Sequence, residues 1–246
     1  MSLEYSIDPY ILNPQHPITV LVIGAGGNGS LLLTHLARLH LSLIALEHPG
    51  LHVTVMDNKV VTEANVGRQA FSIHDIGKNK ARVAVSRINM FYGLSWKFID
   101  QSFTKSSTSA YNIIATCTDQ IESRKAVYDL LKKSKKTTTL RKDQYSLMYW
   151  LDLGNRKNTG QVVLASYDLI LKSVIDLFKK DYQNPDSEDE PSCSLVIALQ
   201  KQDLCINPMM AVFAQKILWD MFTRRTLNHH GFIINLDTLI FNTIPI

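Results

Sequence analysis

The stretch from Ile18 to Leu39, ITVLVIGAGGNGSLLLTHLARL, decides the fold. Ile18 to Ile23 are continuously apolar and rich in β-branched side chains, the pattern of a strand buried on both faces. Gly24, Gly26 and Gly29 then stand in the spacing G-x-G-x-x-G, with Gly27 between them. Gly24 permits a tight bend, Gly26 lets the main chain approach a phosphate, and Gly29 lets the following helix pack closely. Leu31, Leu32, Leu36 and Leu39 recur near helical spacing, so a helix begins here and its N-terminus offers free N–H groups to an anion. The turn suits the pyrophosphate of NAD or FAD and the triphosphate of ATP alike.

Working outward, "EHPGLH" breaks that helix and "HVTVMD" forms a second strand ending in Asp57, placed for ribose hydroxyls. Asp57 lies 28 residues beyond Gly29, more than the usual span of about 20, and "LIALEHPGLH" accounts for the excess. A polar loop leads to a helix over Lys80 to Tyr92. "SWKFIDQSF" reads as a third strand and "AYNIIATCTD" as a fourth, followed by a helix from about Ser123 to Lys132. Strand and helix alternate, which predicts an α/β, Rossmann-like, doubly wound and mainly parallel sheet with helices on both faces.

The texture changes after that point. "LMYWLDLGN" and "TGQVVLASY" predict a hairpin, and "DYQNPDSEDEPS", acidic and with little to bury, a loop. Asn207-Pro208 suit a helix start, with Val212, Phe213, Ile217, Met221 and Phe222 on the helix that follows. "GFIINLDTLIFNTIPI" ends as two strands around Asp237-Thr238. Residues 1–17 read as a polar lead-in with three prolines. The expectation is one domain over residues 1–246: a nucleotide-binding half (18–135) and an antiparallel extension (145–246) that serves partner and dimer contacts.

Composition sets the outer bounds. A chain of 246 residues, 46% hydrophobic and 20% charged, can bury a core of its own. The net charge of +4 is too mild to call for nucleic acid, and no apolar run reaches the roughly 18 residues of a membrane span. The N-terminal residues lack the basic-then-apolar design of a signal peptide. Three cysteines, Cys117, Cys193 and Cys205, form no disulfide framework, so the cytoplasm is the default compartment. Eight basic residues between positions 124 and 142 read as a solvated helix face, and His229-His230 as surface or turn histidines.

The polar loop narrows the chemistry. It gathers Asn65, Arg68, Gln69 and Lys80 just past the ribose-binding acid. A dehydrogenase has no use for an arginine and a lysine over the phosphates. An enzyme that attacks the α-phosphate of ATP does, because negative charge develops there and pyrophosphate must leave. Asp119, at the carboxyl end of a strand, lies where magnesium could bind through one carboxylate and phosphate oxygens.

Five motifs stand in order: "GAGGNG", Asp57, "NVGRQ", "DIGKNK" and "CTDQ". In this order the chain resembles the ThiF/MoeB/ubiquitin-activating superfamily from about Ile18 to Val127. The "PSCSL…QDLCIN" segment and the compact size point to ThiF-like members of bacterial PRTRC systems. The resemblance implies ATP and Mg2+, and adenylation of the C-terminal carboxylate of a small ubiquitin-like protein, commonly by a homodimer. It implies that Gly24, Gly26, Gly27 and Gly29 hold phosphate and that Asp57 holds ribose. Asn65, Arg68, Gln69 and Lys80 would surround the phosphates, and Asp119 would hold magnesium.

Some relatives pass the activated acyl group to a thiol, and Cys193 in "EPSCSLV" is the candidate nucleophile. The acidic "DSEDE" before it opposes thiolate formation. Cys117 and Cys205 read as buried, inert thiols. The paired C-x-x-C motifs by which many relatives bind zinc are missing, as is an arginine in residues 1–17. No zinc is expected. A non-catalytic nucleotide-binding scaffold and, with less support, a nicotinamide or flavin oxidoreductase remain the alternatives.

Overall fold

The computed structural model describes residues 3–104, 111–138, 143, 146–179, 182 and 201–246. The described strands and helices run in chain order as β1 (Tyr5–Ser6), α1 (Pro9–Leu12), β2 (Ile18–Ile23), α2 (Gly27–Ala45), β3 (Leu51–Met56), α3 (Lys80–Tyr92), β4 (Lys97–Ile99) and β5 (Ile113–Thr116). Then follow α4 (Ile121–Thr138), β6 (Tyr149–Asn155), β7 (Thr159–Ser166), α5 (Val174–Leu177), α6 (Ile206–Thr223), β8 (Thr226–Leu227), β9 (His229–Asn235) and β10 (Ile240–Pro245).

Eight strands make one sheet in the order β10-β9-β7-β6-β5-β2-β3-β4. From β4 to β6 every pairing is parallel, and from β6 to β10 every pairing is antiparallel. The expected doubly wound sheet with an antiparallel continuation is therefore the observed one. The chain leaves β2 for β3 on one side and returns to β5 on the other. That reversal opens a crevice at the carboxyl ends of β2 and β5, where open α/β sheets bind ligands.

The central parallel strands β2, β3 and β5 are largely apolar and buried, as helices on both faces require. On one face α2, α3 and α6 pack against the sheet. Leu32, Leu33, Leu36, Leu39 and Leu43 of α2 are buried there, each burial favouring the fold by about 1.5–3 kcal/mol. On the other face α4 supplies Val127 and Leu131, which pack with Leu21, Ile114 and Trp150. No helix among the described residues is long and apolar enough to cross a membrane.

The structure moves several expected boundaries. The lead-in is stitched into the fold: Tyr5, Ile7 and Ile11 are buried, β1 pairs with β8, and Asp8 caps α1. Three prolines disguise this alternation of apolar and polar residues. Helix α2 starts at Gly27 rather than after Gly29. Strand β4 is only three residues long, since as an edge strand it pairs only with β3. Helix α6 begins at Ile206 with Cys205 at its cap, so Asn207 lies inside the first turn instead of capping it.

Cys205 is exposed, contrary to the expectation of a buried thiol, because the cap position faces outward; Cys117 is buried as expected. His230 is not on the surface. It points inward from β9 and its Nδ1 lies 2.8 Å from the Leu164 carbonyl, which is how an imidazole can be buried in a sheet.

A nucleotide-sized crevice at the switch point

The crevice has a volume of about 1130 Å³ and is lined by Gly24, Gly26 and Gly27 of the turn, Asp57, Arg68, Gln69, Lys80 and Asp119, together with residues of the β6–β7 hairpin. Gly24 adopts φ +92°, and a Cβ there would meet the Cys117 carbonyl at 2.8 Å. At Gly29 a Cβ would lie 1.9 Å from the Gly24 carbonyl oxygen, so this glycine serves helix-to-strand packing and is not among the lining residues. A Cβ on Gly26 would meet nothing within 4 Å, which leaves the main chain open to a ligand. Among the described residues no side chain caps α2, so its first N–H groups and the positive end of its dipole face this opening.

Asp57 ends β3 and braces the turn. Its Oδ2 accepts the Ala25 N–H at 2.7 Å and its Oδ1 the Lys59 N–H at 2.8 Å. Asn79 caps α3 through the Arg82 N–H and donates to the Asp57 carbonyl, each at 2.8 Å, which fixes the helix start and so places Lys80 beside the end of β3.

Lys80 is buried and forms no ion pair among the described residues. Burial lowers its pKa below the usual lysine value, the nearby Lys59 and Arg68 lower it further, and Asp57 and Asp119 pull it back up. Burial likewise lowers the pKa of Arg68. Arg68 Nε, Gln69 Oε1 and Asn28 Oδ1 are all buried without a hydrogen-bond partner among the described residues, and all three residues line the crevice. Orphaned polar atoms of this kind are costly unless a ligand or water meets them.

Asp119 stands apart. Its side chain is 82% exposed and 3.7 Å from Lys59 Nζ, a surface pair that contributes little and leaves the carboxylate available. Among the described residues no group of three His, Cys, Asp or Glu side chains could hold a metal by itself. One carboxylate completed by phosphate oxygens is the arrangement magnesium favours, so the donor set fits Mg2+ bound with a nucleotide.

The structure thus gathers Gly24, Gly26, Gly27, Asp57, Arg68, Gln69, Lys80 and Asp119 around one crevice. It does not gather Asn65, whose carboxamide oxygen accepts the Thr62 N–H and hydroxyl at 2.9 and 3.1 Å and so shapes the loop. Cys193 lies outside the described residues.

Besides Asn28, sequence reasoning missed Arg124, Asp152, Gln202 and Asn207. Arg124 is a buried wall of the crevice rather than part of a solvated face: its Nε donates to Asp152 Oδ1 at 2.6 Å and its Nη2 to the Leu153 carbonyl at 3.2 Å. Burial opposes its charge, but Asp152 more than offsets this and holds its pKa above the usual value. Asp152 is the one acid within the apolar "YWLDLGN" strand, and an acid there requires a partner. Gln202 and Asn207 also line the crevice, although the sequence pointed to Asn207 only as a helix start and to neither as a site residue.

Fold and crevice together define an α/β protein with a cationic crevice at the switch point of a doubly wound sheet. A model of the ThiF family matches residues 16–223, and the chain belongs to that family. No curated protein matches the sequence. Among solved structures, PaaA superposes with a TM-score of 0.64 at 15% identity, covering 93% of this chain and 64% of that one. E. coli MccB with MccA gives 0.63 at 14% identity, covering 96% and 65%. E. coli MccB with ATP gives 0.56 at 17% identity, covering 96% and 64%. At these identities the likeness is one of fold, and the chain spans a little under two thirds of the length of each.

Proposed function

We propose that this protein adenylates the carboxylate of a peptide or small ubiquitin-like protein, joining AMP to its C-terminus and releasing pyrophosphate. A carboxylate oxygen forms the new bond to the α-phosphorus as the bond from that phosphorus to the bridging oxygen of pyrophosphate breaks. The observation that carries the reading is the convergence of Arg68 and Lys80, from separate segments, on the crevice over the glycine turn, with Arg68 Nε unpartnered.

Each side chain then has a task. The open N-terminus of α2 and the main chain at Gly26 receive phosphate oxygens, and Asp57 receives ribose hydroxyls. Lys80 and Arg68 sit where desolvation strengthens their attraction for the charge that grows during attack. Gln69 orients beside them. Asp119 would hold Mg2+, which when bound neutralises phosphate charge. The similar E. coli MccB structures, one with ATP and one with MccA, support a nucleotide beside a peptide acceptor.

Transfer to a thiol, with Cys193 as nucleophile, is the further step of the same proposal. A homodimer also belongs to it, with Val212 and Trp219, the exposed apolar residues of α6, on its surface.

The test is magnesium-dependent ATP–pyrophosphate exchange with a carboxylate-bearing peptide. Wild-type protein should exchange, and Asp119→Ala should not. ATP binding without any exchange would instead support a nucleotide-binding scaffold.

A further inference from the structure

The first residues after Lys201 leave an amide in an unexpected place. Gln202 Oε1 accepts a hydrogen bond from Arg68 Nη1 and a second, at 3.1 Å, from Asn207 Nδ2. Arginine can only donate, so the atom of Gln202 facing it must be the oxygen, and the atom of Asn207 facing that oxygen must be its nitrogen. Both amides are thereby oriented without ambiguity.

Asn207 is 1% exposed and continues the connection. Its Cγ, Nδ2 and Oδ1 would lie 2.6, 2.6 and 2.7 Å from a Cβ on Gly27, so the flat face of the carboxamide covers the first residue of α2. A line of contacts thus runs from the start of α2 through Asn207 and Gln202 to the guanidinium of Arg68. Arg68 has few other restraints. It follows Gly67 at φ +80°, around which there is open space, and its Nε is unpartnered. A guanidinium on a long flexible stem loses considerable rotamer freedom when it is held.

We propose that Gln202 is a positioning residue for Arg68: one carboxamide oxygen, shared with Asn207, holds the guanidinium in register with the N-terminus of α2, so that both meet the same phosphates. The inference rests on the reading of Arg68 as a phosphate-binding cation. A neutral acceptor is the suitable holder, because it fixes the direction of the guanidinium without consuming its charge. A carboxylate in the same place would compete with the phosphates for it.

That difference supplies the test. Binding of a non-hydrolysable ATP analogue to the full chain is measured by calorimetry for the wild type, Gln202→Leu, Gln202→Glu and Arg68→Ala, with melting temperatures alongside. Positioning requires wild type to bind tightest, Gln202→Leu to lose about tenfold, and the near-isosteric Gln202→Glu to lose more. A purely structural role reverses that order, since glutamate keeps the shape and leucine does not.

In the Arg68→Ala background, Gln202→Leu should cost nothing further. Additive losses, or a Gln202→Glu variant that binds like wild type, overturn the proposal. Analogue binding unaffected by Arg68→Ala overturns the reading of Arg68 and the proposal with it. Binding lost in Arg68→Ala but intact in Gln202→Leu overturns the positioning role alone.

Discussion

Two arginines line one crevice from different walls, and they are held in opposite ways. Arg124, on the wall built by α4 and β6, is clamped by the buried carboxylate of Asp152, which also accepts the Thr116 hydroxyl at 2.5 Å. Arg68, on the wall beside the glycine turn, is held by a neutral amide and has an unpartnered Nε. The first wall has neutralised its charge internally. The second, with Lys80, keeps net positive charge in a partly desolvated place, where it attracts an anion most strongly. On the proposed function, the first wall serves the fold and the second receives the ligand.

The largest expected effect breaks the clamped wall. Asp152→Ala leaves Arg124 charged and buried without its partner and should lower stability by about 3–5 kcal/mol, read from urea unfolding. If the variant unfolds like wild type, the clamp is not what holds that wall. Arg68→Ala should do the converse: exchange falls by about 100-fold, while the urea midpoint stays put or rises slightly because a desolvated cation is gone. A parallel loss of stability would erase the contrast between the walls.

Two glycines sharpen it further. Gly29→Ala forces a Cβ against the Gly24 carbonyl and should destabilise by about 1–3 kcal/mol. Gly26→Ala meets no obstacle in the protein, so its melting temperature should match wild type within error while its affinity for an ATP analogue falls.

The smallest effect concerns acid. His48 Nδ1 accepts the Gly50 N–H and His40 Nδ1 the Leu51 N–H, both at 2.9 Å, at the start of β3 and away from the crevice. An accepting nitrogen requires a neutral ring, and burial lowers both pKa values below 6.5. As pH falls past 6.5 the unfolded chain therefore binds protons before the folded one, and stability present above that pH is progressively lost. Melting temperatures between pH 8 and 5 should fall by a few degrees, and a His48→Gln variant should flatten part of the slope.

Much of the fold was legible because local rules and global topology agree in the first half. The unbroken apolar run Ile18–Ile23, the three glycines and Asp57 each need the others to make physical sense. That Asp57, Arg68, Lys80 and Asp119 meet at one crevice could be anticipated from their positions at strand ends and in the polar loop. That Asn65 turns into its own loop was not legible, since an amide that caps its own loop and one that reaches outward look alike in sequence. Arg124 was hidden among lysines that are ordinary at a helix surface; only Asp152, an isolated acid in an apolar strand, betrayed it. The place of Gln202 and Asn207 in the crevice was not legible, because it depends on a contact more than 130 residues away, with Arg68, and on the flat approach to Gly27.

Asp57 has one more implication. Its two oxygens grip the main chain on either side of the crevice mouth, at Ala25 and Lys59, while sharing the field of Lys80. On the proposed function, a nucleoside that engages this carboxylate would tighten the loop facing the polyphosphate, and a polyphosphate would prepare the carboxylate for the nucleoside. Adenosine and tripolyphosphate added together should therefore bind with synergy, each raising the other's affinity by the same factor.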